Sequence, residues 1–249
     1  MPGTLARILI TLLLAGLVAG CTTPAPHGVP DAETFVPGAQ PISSRQFYPD
    51  LHTGEATTRT YASDSGFVID RTAPASESGS GYRHERILAP TMDPESPSAT
   101  LHSARLLASD ESGTVVLLAS STPGRGIDLE YDPTLVVAPP LLLPGEPHEA
   151  QTRIHQIDPA TGRTTQTGTA TFKLELLGER STQTGSSLLI RSSFEIRLGR
   201  SVMRRQTDRI YRREASGDLT LEREEETETV SAMGLTISRT ERSLHELND

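Results

Sequence analysis

The chain is predicted to be mainly β: a long antiparallel meander forming a curved sheet, half-barrel or open barrel behind a Pro-rich tether. Three observations carry this. Beyond residue 57 a turn signal recurs about every 8 to 15 residues, the runs between turns alternate apolar and polar side chains, and the turns themselves are short. Apolar residues two apart fit the pleat of a strand, whereas a helix would space them three and four apart. Consecutive strands joined by short turns pair as antiparallel neighbours, with one face dry and one wet. Long meanders twist and coil, so they tend toward closure.

The first element is a leader. One cation, Arg7, precedes the uncharged run Ile8 to Gly20, which meets Cys21. The run is shorter than the roughly 20 apolar residues that cross a bilayer as a helix, so it reads as an export signal. Val18-Ala19-Gly20-Cys21 resembles the lipobox of bacterial lipoproteins. The resemblance covers only the leader. It implies a signal peptide over 1–20, a diacylglycerol thioether on Cys21, cleavage before that residue, and acylation of the new α-amine by chains such as palmitate. Several acyl chains exceed what stable anchoring requires. By the same resemblance Thr22, where an Asp favours inner-membrane retention, points to the outer membrane facing the periplasm if the cell has two membranes. The inner membrane or the cell surface stays open.

Residues 21–57 follow, with Pro24, Pro26, Pro30, Pro37, Pro41 and Pro49 among small and polar residues. Such composition favours extended, solvated backbone, so the stretch reads as a tether. Docking of Phe35, Phe47 and Tyr48 on the domain stays open, so its far boundary is soft.

The β domain spans 58–249. Arg59 to Ala62 and Phe67 to Thr72 flank Asp64-Ser65-Gly66, and Leu101 to Ser109 and Thr114 to Ser121 flank Asp110-Glu111-Ser112-Gly113, which makes two hairpins. Ile127 to Tyr131 alternates and is expected to stop at Asp132-Pro133. Residues 135–147 are apolar but broken by Pro139, Pro140, Pro144 and Pro147, which predicts a covering strap or a link between two halves, 58–134 and 148–249. Strands are then predicted from Gln151 to Ile157, across Phe172, Leu174 and Leu176, across Phe194, Ile196 and Leu198, and over 202–214, 219–230 and 235–244. The segment from Tyr131-Asp132-Pro133 to Leu143-Pro144-Gly145-Glu146 faintly resembles uncharacterised exported proteins built on a curved sheet, a likeness that transfers no site.

Charge and composition exclude several functions. A net charge of -9 opposes general nucleic-acid binding, and no Trp with 4% aromatics supplies few stacking platforms. One cysteine rules out an internal disulfide and a multi-cysteine zinc site. The seven histidines never form an i, i+4 pair, so no metal is expected. No G-x-S-x-G, H-E-x-x-H, phosphate loop or S-x-x-K arrangement occurs, so no catalytic residue and no cofactor are expected, and the domain reads as non-catalytic.

Residues 191–228 carry as many arginines as carboxylates. A hairpin turning at Ser216-Gly217 would set Arg209 against Glu224 and Arg205 against Glu228, read here as solvated cross-strand pairs. A receptor for headgroups or phosphate would need several arginines left unpaired on one face. The expected binding surface is instead the apolar face carrying Phe172, Leu174, Leu176, Phe194, Ile196 and Leu198. It suits lipid or another hydrophobic ligand if the concavity is not filled. If it is filled, the domain becomes an adaptor or structural protein meeting an envelope partner, with an envelope hydrolase as the remaining reading.

Overall fold

In the computed structural model, the described residues are 34–53, 55–75, 81–182 and 185–247. Cys21 and the signal segment 1–20 lie outside them. The strands are β1 (Ile42–Ser43), β2 (Thr57–Ser63), β3 (Gly66–Pro74), β4 (Tyr82–Ala89), β5 (Thr100–Ser109), β6 (Val115–Thr122), β7 (Ile127–Ala138), β8 (Leu141–Leu142), β9 (His148–Ile157), β10 (Thr164–Thr182), β11 (Gly185–Leu198), β12 (Ser201–Arg213), β13 (Leu219–Ala232) and β14 (Leu235–Glu246). Two helical turns precede β2, α1 (Ser44–Phe47) and α2 (Asp50–Thr53).

Twelve strands form one closed antiparallel barrel in the order β10-β11-β12-β13-β14-β2-β3-β4-β5-β6-β7-β9. The meander is therefore as expected, and its sheet closes into a barrel through a short seam. Strands β2 to β7 and β9 to β14 make one wall rather than two halves, because β7 and β9 pair directly from Asp128↔Ile157 to Asp132↔Arg153. Closure is made by the least local pairing, β14 with β2, through Leu244↔Ser63, His245↔Ala62 and Glu246↔Tyr61. Outward positions of the long strands carry Lys173, Glu175, Glu195, Arg197 and Arg204, which pair with one another across the surface.

Two expectations change. Strand β7 does not stop at Asp132-Pro133: after a shift of register it resumes pairing with β6 at Leu117↔Leu135 and ends at Val115↔Ala138. Pro133 is tolerated because the ladder with β6 is already interrupted there. Only the remainder of the expected strap, from Pro139 to Pro147, leaves the wall, and within it β8 pairs with β1 through Ile42↔Leu142 and Ser43↔Leu141.

The second change concerns the tether. Its described part, 34–53, is packed against one end of the barrel and does not extend into solvent. Val36 pairs with Glu179, with both backbone N–H···O bonds at 3.0 Å. Phe35, Ile42 and Leu51 are buried. Ser43 caps α1 in a capping box with Gln46, and the Gln46 amide donates to the Gly217 carbonyl at 2.8 Å. Phe47 packs edge-on against Tyr211 at 5.3 Å and Tyr48 at 4.7 Å between ring centres. Aromatic side chains between the prolines supplied enough apolar area to dock this stretch.

Candidate functional site

The interior of the barrel is divided by strand. Along β6, β7, β10 and β11 the inward positions include Leu117, Leu129, Tyr131, Phe172, Leu174, Phe194 and Ile196, with the hydroxyls of Ser120 and Ser192 among them. Phe172 and Phe194 are directly opposite in the ladder, with ring centres 6.2 Å apart, and Tyr131 lies 6.4 Å from Phe194. Along β3, β4, β5, β12 and β13 the inward positions include Asp70, His84, Arg86, Arg105, Arg205, Arg209 and Glu224. Between the two walls lies a cavity of about 380 Å³. That is within the roughly 300–1,000 Å³ of small-molecule sites. Diameter grows with strand number, and side chains fill an eight-stranded barrel but fall short in wider ones. A chain with no Trp and five Phe has little bulk with which to fill twelve strands.

Phe47, Tyr48, Pro49 and Leu51 close the cavity at the end capped by α1 and α2. Toward the other end the lining runs through Ile127, Leu198, Ser201, Val202 and Ser238, beside the turns that join β6 to β7, β11 to β12 and β13 to β14. Of the residues expected on a binding face, Phe172, Leu174, Phe194, Ile196 and Leu198 line this cavity. Leu176 does not. It is buried next to Pro144, under the segment that follows β8.

The register of β12 with β13 is Arg209↔Glu224 and Arg205↔Glu228, as expected. Near the turn it differs by one residue, Arg213↔Leu219, and a bulge at Ile210/Tyr211 restores it. The expectation that these pairs are solvated is overturned. Glu224 is 1% exposed and accepts from Arg209 Nε at 2.6 Å and from Arg86. Arg86 also forms a two-pronged pair with Asp70, at 2.8 Å on each prong. Arg205 meets Glu228 at 2.6 Å and Glu226 at 3.7 Å. Arg125 reaches Glu228 at 2.5 Å, and Arg242 lies 3.6 Å from Glu226 and 3.0 Å from His102 Nε2. The reason is local. Leu219 and Leu221 point inward, and the extra residue at the bulge moves the inward phase from odd to even positions, which brings Glu224, Glu226 and Glu228 inside.

Burial opposes charge on Glu224, but the Arg86 and Arg209 guanidiniums outweigh it and hold its carboxyl well below the usual range. Asp70 is governed in the same way, burial opposing and Arg86 prevailing. Burial pushes His84 down to about 4, with Asp70 opposing and Arg105, Arg86 and Arg209 assisting. It also takes His102 to about 4, aided by Arg242. Both imidazoles are therefore neutral at neutral pH. Burial raises Tyr131 to about 12, against the hydrogen bond it shares with Ser120 at 2.9 Å.

Sequence reasoning missed Asp70, His84, Arg86 and Arg105. Their signal was present as charges in phase with Val68 and Leu107 on short strands, but charge on an alternating strand ordinarily marks the wet face. Among the described residues, no three His, Cys, Asp or Glu side chains converge as metal ligands. No family model matches the chain, and comparison with curated proteins and with solved structures returns no significant match.

Proposed function

We propose that this is an exported, lipid-anchored protein whose barrel binds a hydrophobic ligand without catalysis. The observation that carries the ligand reading is the cavity of about 380 Å³, walled on one side by Phe172, Leu174, Phe194 and Ile196 and reaching one end of the barrel. An apolar wall left uncovered favours an apolar occupant, at about 25 cal/mol for each Å² removed from water. The anchoring reading rests on the lipobox-like Val18-Ala19-Gly20-Cys21.

Native mass spectrometry of the Cys21→Ser protein, gently purified, tests the first part. A bound lipid-sized mass that heat and solvent remove is expected, and a bare chain that also leaves the neutral probe N-phenyl-1-naphthylamine dark would refute it. For the second part, cells grown in labelled palmitate should label the wild type and not Cys21→Ser. Equal labelling of both would remove Cys21 as the anchor.

One feature favours the adaptor reading. Strand β14 pairs with β2 only from Leu244 to Glu246, so its stretch from Leu235 to Ser243 has β13 on one side and, among the described residues, no strand ladder on the other. Leu235 and Ile237 are exposed there, beside Met233 at the turn. An open edge with apolar side chains is suited to accept a partner's strand.

A further inference from the structure

We infer that the ligand of this cavity is a single-chain amphiphile with a monoanionic oxyanion head, a long-chain fatty carboxylate in its simplest form, whose head pairs with Arg105 while its tail lies along the Phe172–Phe194 wall. The inference rests on the ligand-binding reading above and specifies the chemistry of the same site.

Arg105 projects from β5 into the cavity. Among the described residues it has no ion pair and no hydrogen bond. The carboxylates on its side of the barrel are already engaged: Asp70 and Glu224 by Arg86 and Arg209, Glu226 and Glu228 by Arg205, Arg125 and Arg242. Its other neighbour of consequence is Tyr48, which burial holds in the neutral phenol form. Burial, followed by the like charges of Arg205, Arg209 and Arg86, works against the Arg105 cation. A guanidinium nonetheless keeps its proton at neutral pH. Arg105 is thus a guanidinium inside the barrel with no carboxylate partner among the described residues, an arrangement that a bound anion relieves.

One carboxylate meets that need, because its two oxygens match the fork of a guanidinium. Geometry supplies the other half of the molecule. In the order of the barrel, β5 and β11 lie nearly opposite each other, so the cation faces the wall that carries Phe194 and Ile196. A head at Arg105 and a tail against that wall occupy one cavity together.

The experiment measures displacement of N-phenyl-1-naphthylamine at neutral pH by laurate, by its uncharged match 1-dodecanol and by dodecyl phosphate, from the wild type and from Arg105→Gln. Wild type is expected to prefer laurate to dodecanol by about 30-fold or more, the range in which loss of one partner of a buried charged pair falls. Arg105→Gln is expected to lose that preference while binding dodecanol as the wild type does. Without ligand, Arg105→Gln is expected to melt above the wild type, because an unpaired buried charge has been removed.

Laurate bound equally by both proteins would overturn the role of Arg105 and leave the cavity reading standing. A wild type that takes up neither the probe nor any of the three compounds would overturn the cavity reading itself. Tighter binding of dodecyl phosphate than of laurate would overturn the monoanionic carboxylate in favour of a phospholipid-type head. A lower melting temperature for Arg105→Gln, with both laurate and dodecanol lost, would make Arg105 a structural residue.

Discussion

Replacing Glu224 with Gln keeps the shape of the side chain and deletes one charge, at a point where two cations converge. Arg86 would retain Asp70, so part of its pairing survives. Arg209 would lose the carboxylate it pairs with and keep, besides the amide oxygen of the new side chain, a 3.4 Å contact with the Ser192 hydroxyl. Glu224 is 1% exposed, so solvent cannot replace the lost partner. Breaking a buried ion pair by removing one member costs about 3–5 kcal/mol. A domain of this size loses about 2–4 °C of melting temperature per kcal/mol, so Glu224→Gln is expected to melt roughly 6–20 °C below the wild type. Arg209→Met paired with Glu224→Gln should recover part of the loss, because the double variant no longer strands the Arg209 cation. The assay is urea and thermal unfolding followed by circular dichroism, run as a double-mutant cycle. A single-variant loss of under about 1 kcal/mol, the range of solvated surface pairs, would refute the argument that this cluster is sealed inside the barrel.

Acid should weaken the fold before the carboxylates titrate. His84 has a folded pKa of about 4 against an ordinary value of 6.5, so between those values the unfolded chain takes a proton that the barrel refuses. Stability should fall as pH drops from 6.5 to 4, by up to about 3 kcal/mol for this residue. Urea unfolding of His84→Gln should show a flatter dependence there, and an unchanged slope would contradict the burial of His84. Asp70 and Glu224 have depressed pKa values, so their contribution is intact above the ordinary carboxylate range and is lost only below it. Gly178→Ala should loosen the docked segment, because a Cβ there would sit 2.8 Å from the Val36 carbonyl oxygen. Faster amide exchange at Val36 and Glu179 is expected, with about 1–3 kcal/mol of overall destabilisation, and unchanged exchange would count against the docking. Phe194→Trp should occupy part of the cavity, lowering uptake of N-phenyl-1-naphthylamine with little change in melting temperature. Undiminished uptake would place the probe elsewhere.

Much of the wall was legible because strand pairing in a meander is a local matter. The alternations Phe172-Leu174-Leu176 and Phe194-Ile196-Leu198 identified a buried face, and five of those side chains do line the cavity. Leu176 was separated from them only by Pro144, on a segment distant in sequence. The Arg209↔Glu224 pairing was readable from the position of a glycine turn, yet its burial was not, because one extra residue at the bulge decides which face of β13 looks inward. The docking of Phe47 was an alternative the sequence left open, because the prolines around it argue for extended backbone and say nothing of what an aromatic ring finds to pack against.

By itself, then, the order of residues determined the strands, their hairpins and the phase of alternation, since each depends on neighbours a few positions apart. Tertiary structure alone decided that β14 meets β2, that residues 34–53 seal one end, and that Arg105 lacks the acid its fellow arginines have. These outcomes depend on the circumference and register of the whole wall. Whether a charge is compensated is a property of everything that converges on it, and no local stretch of chain contains that information.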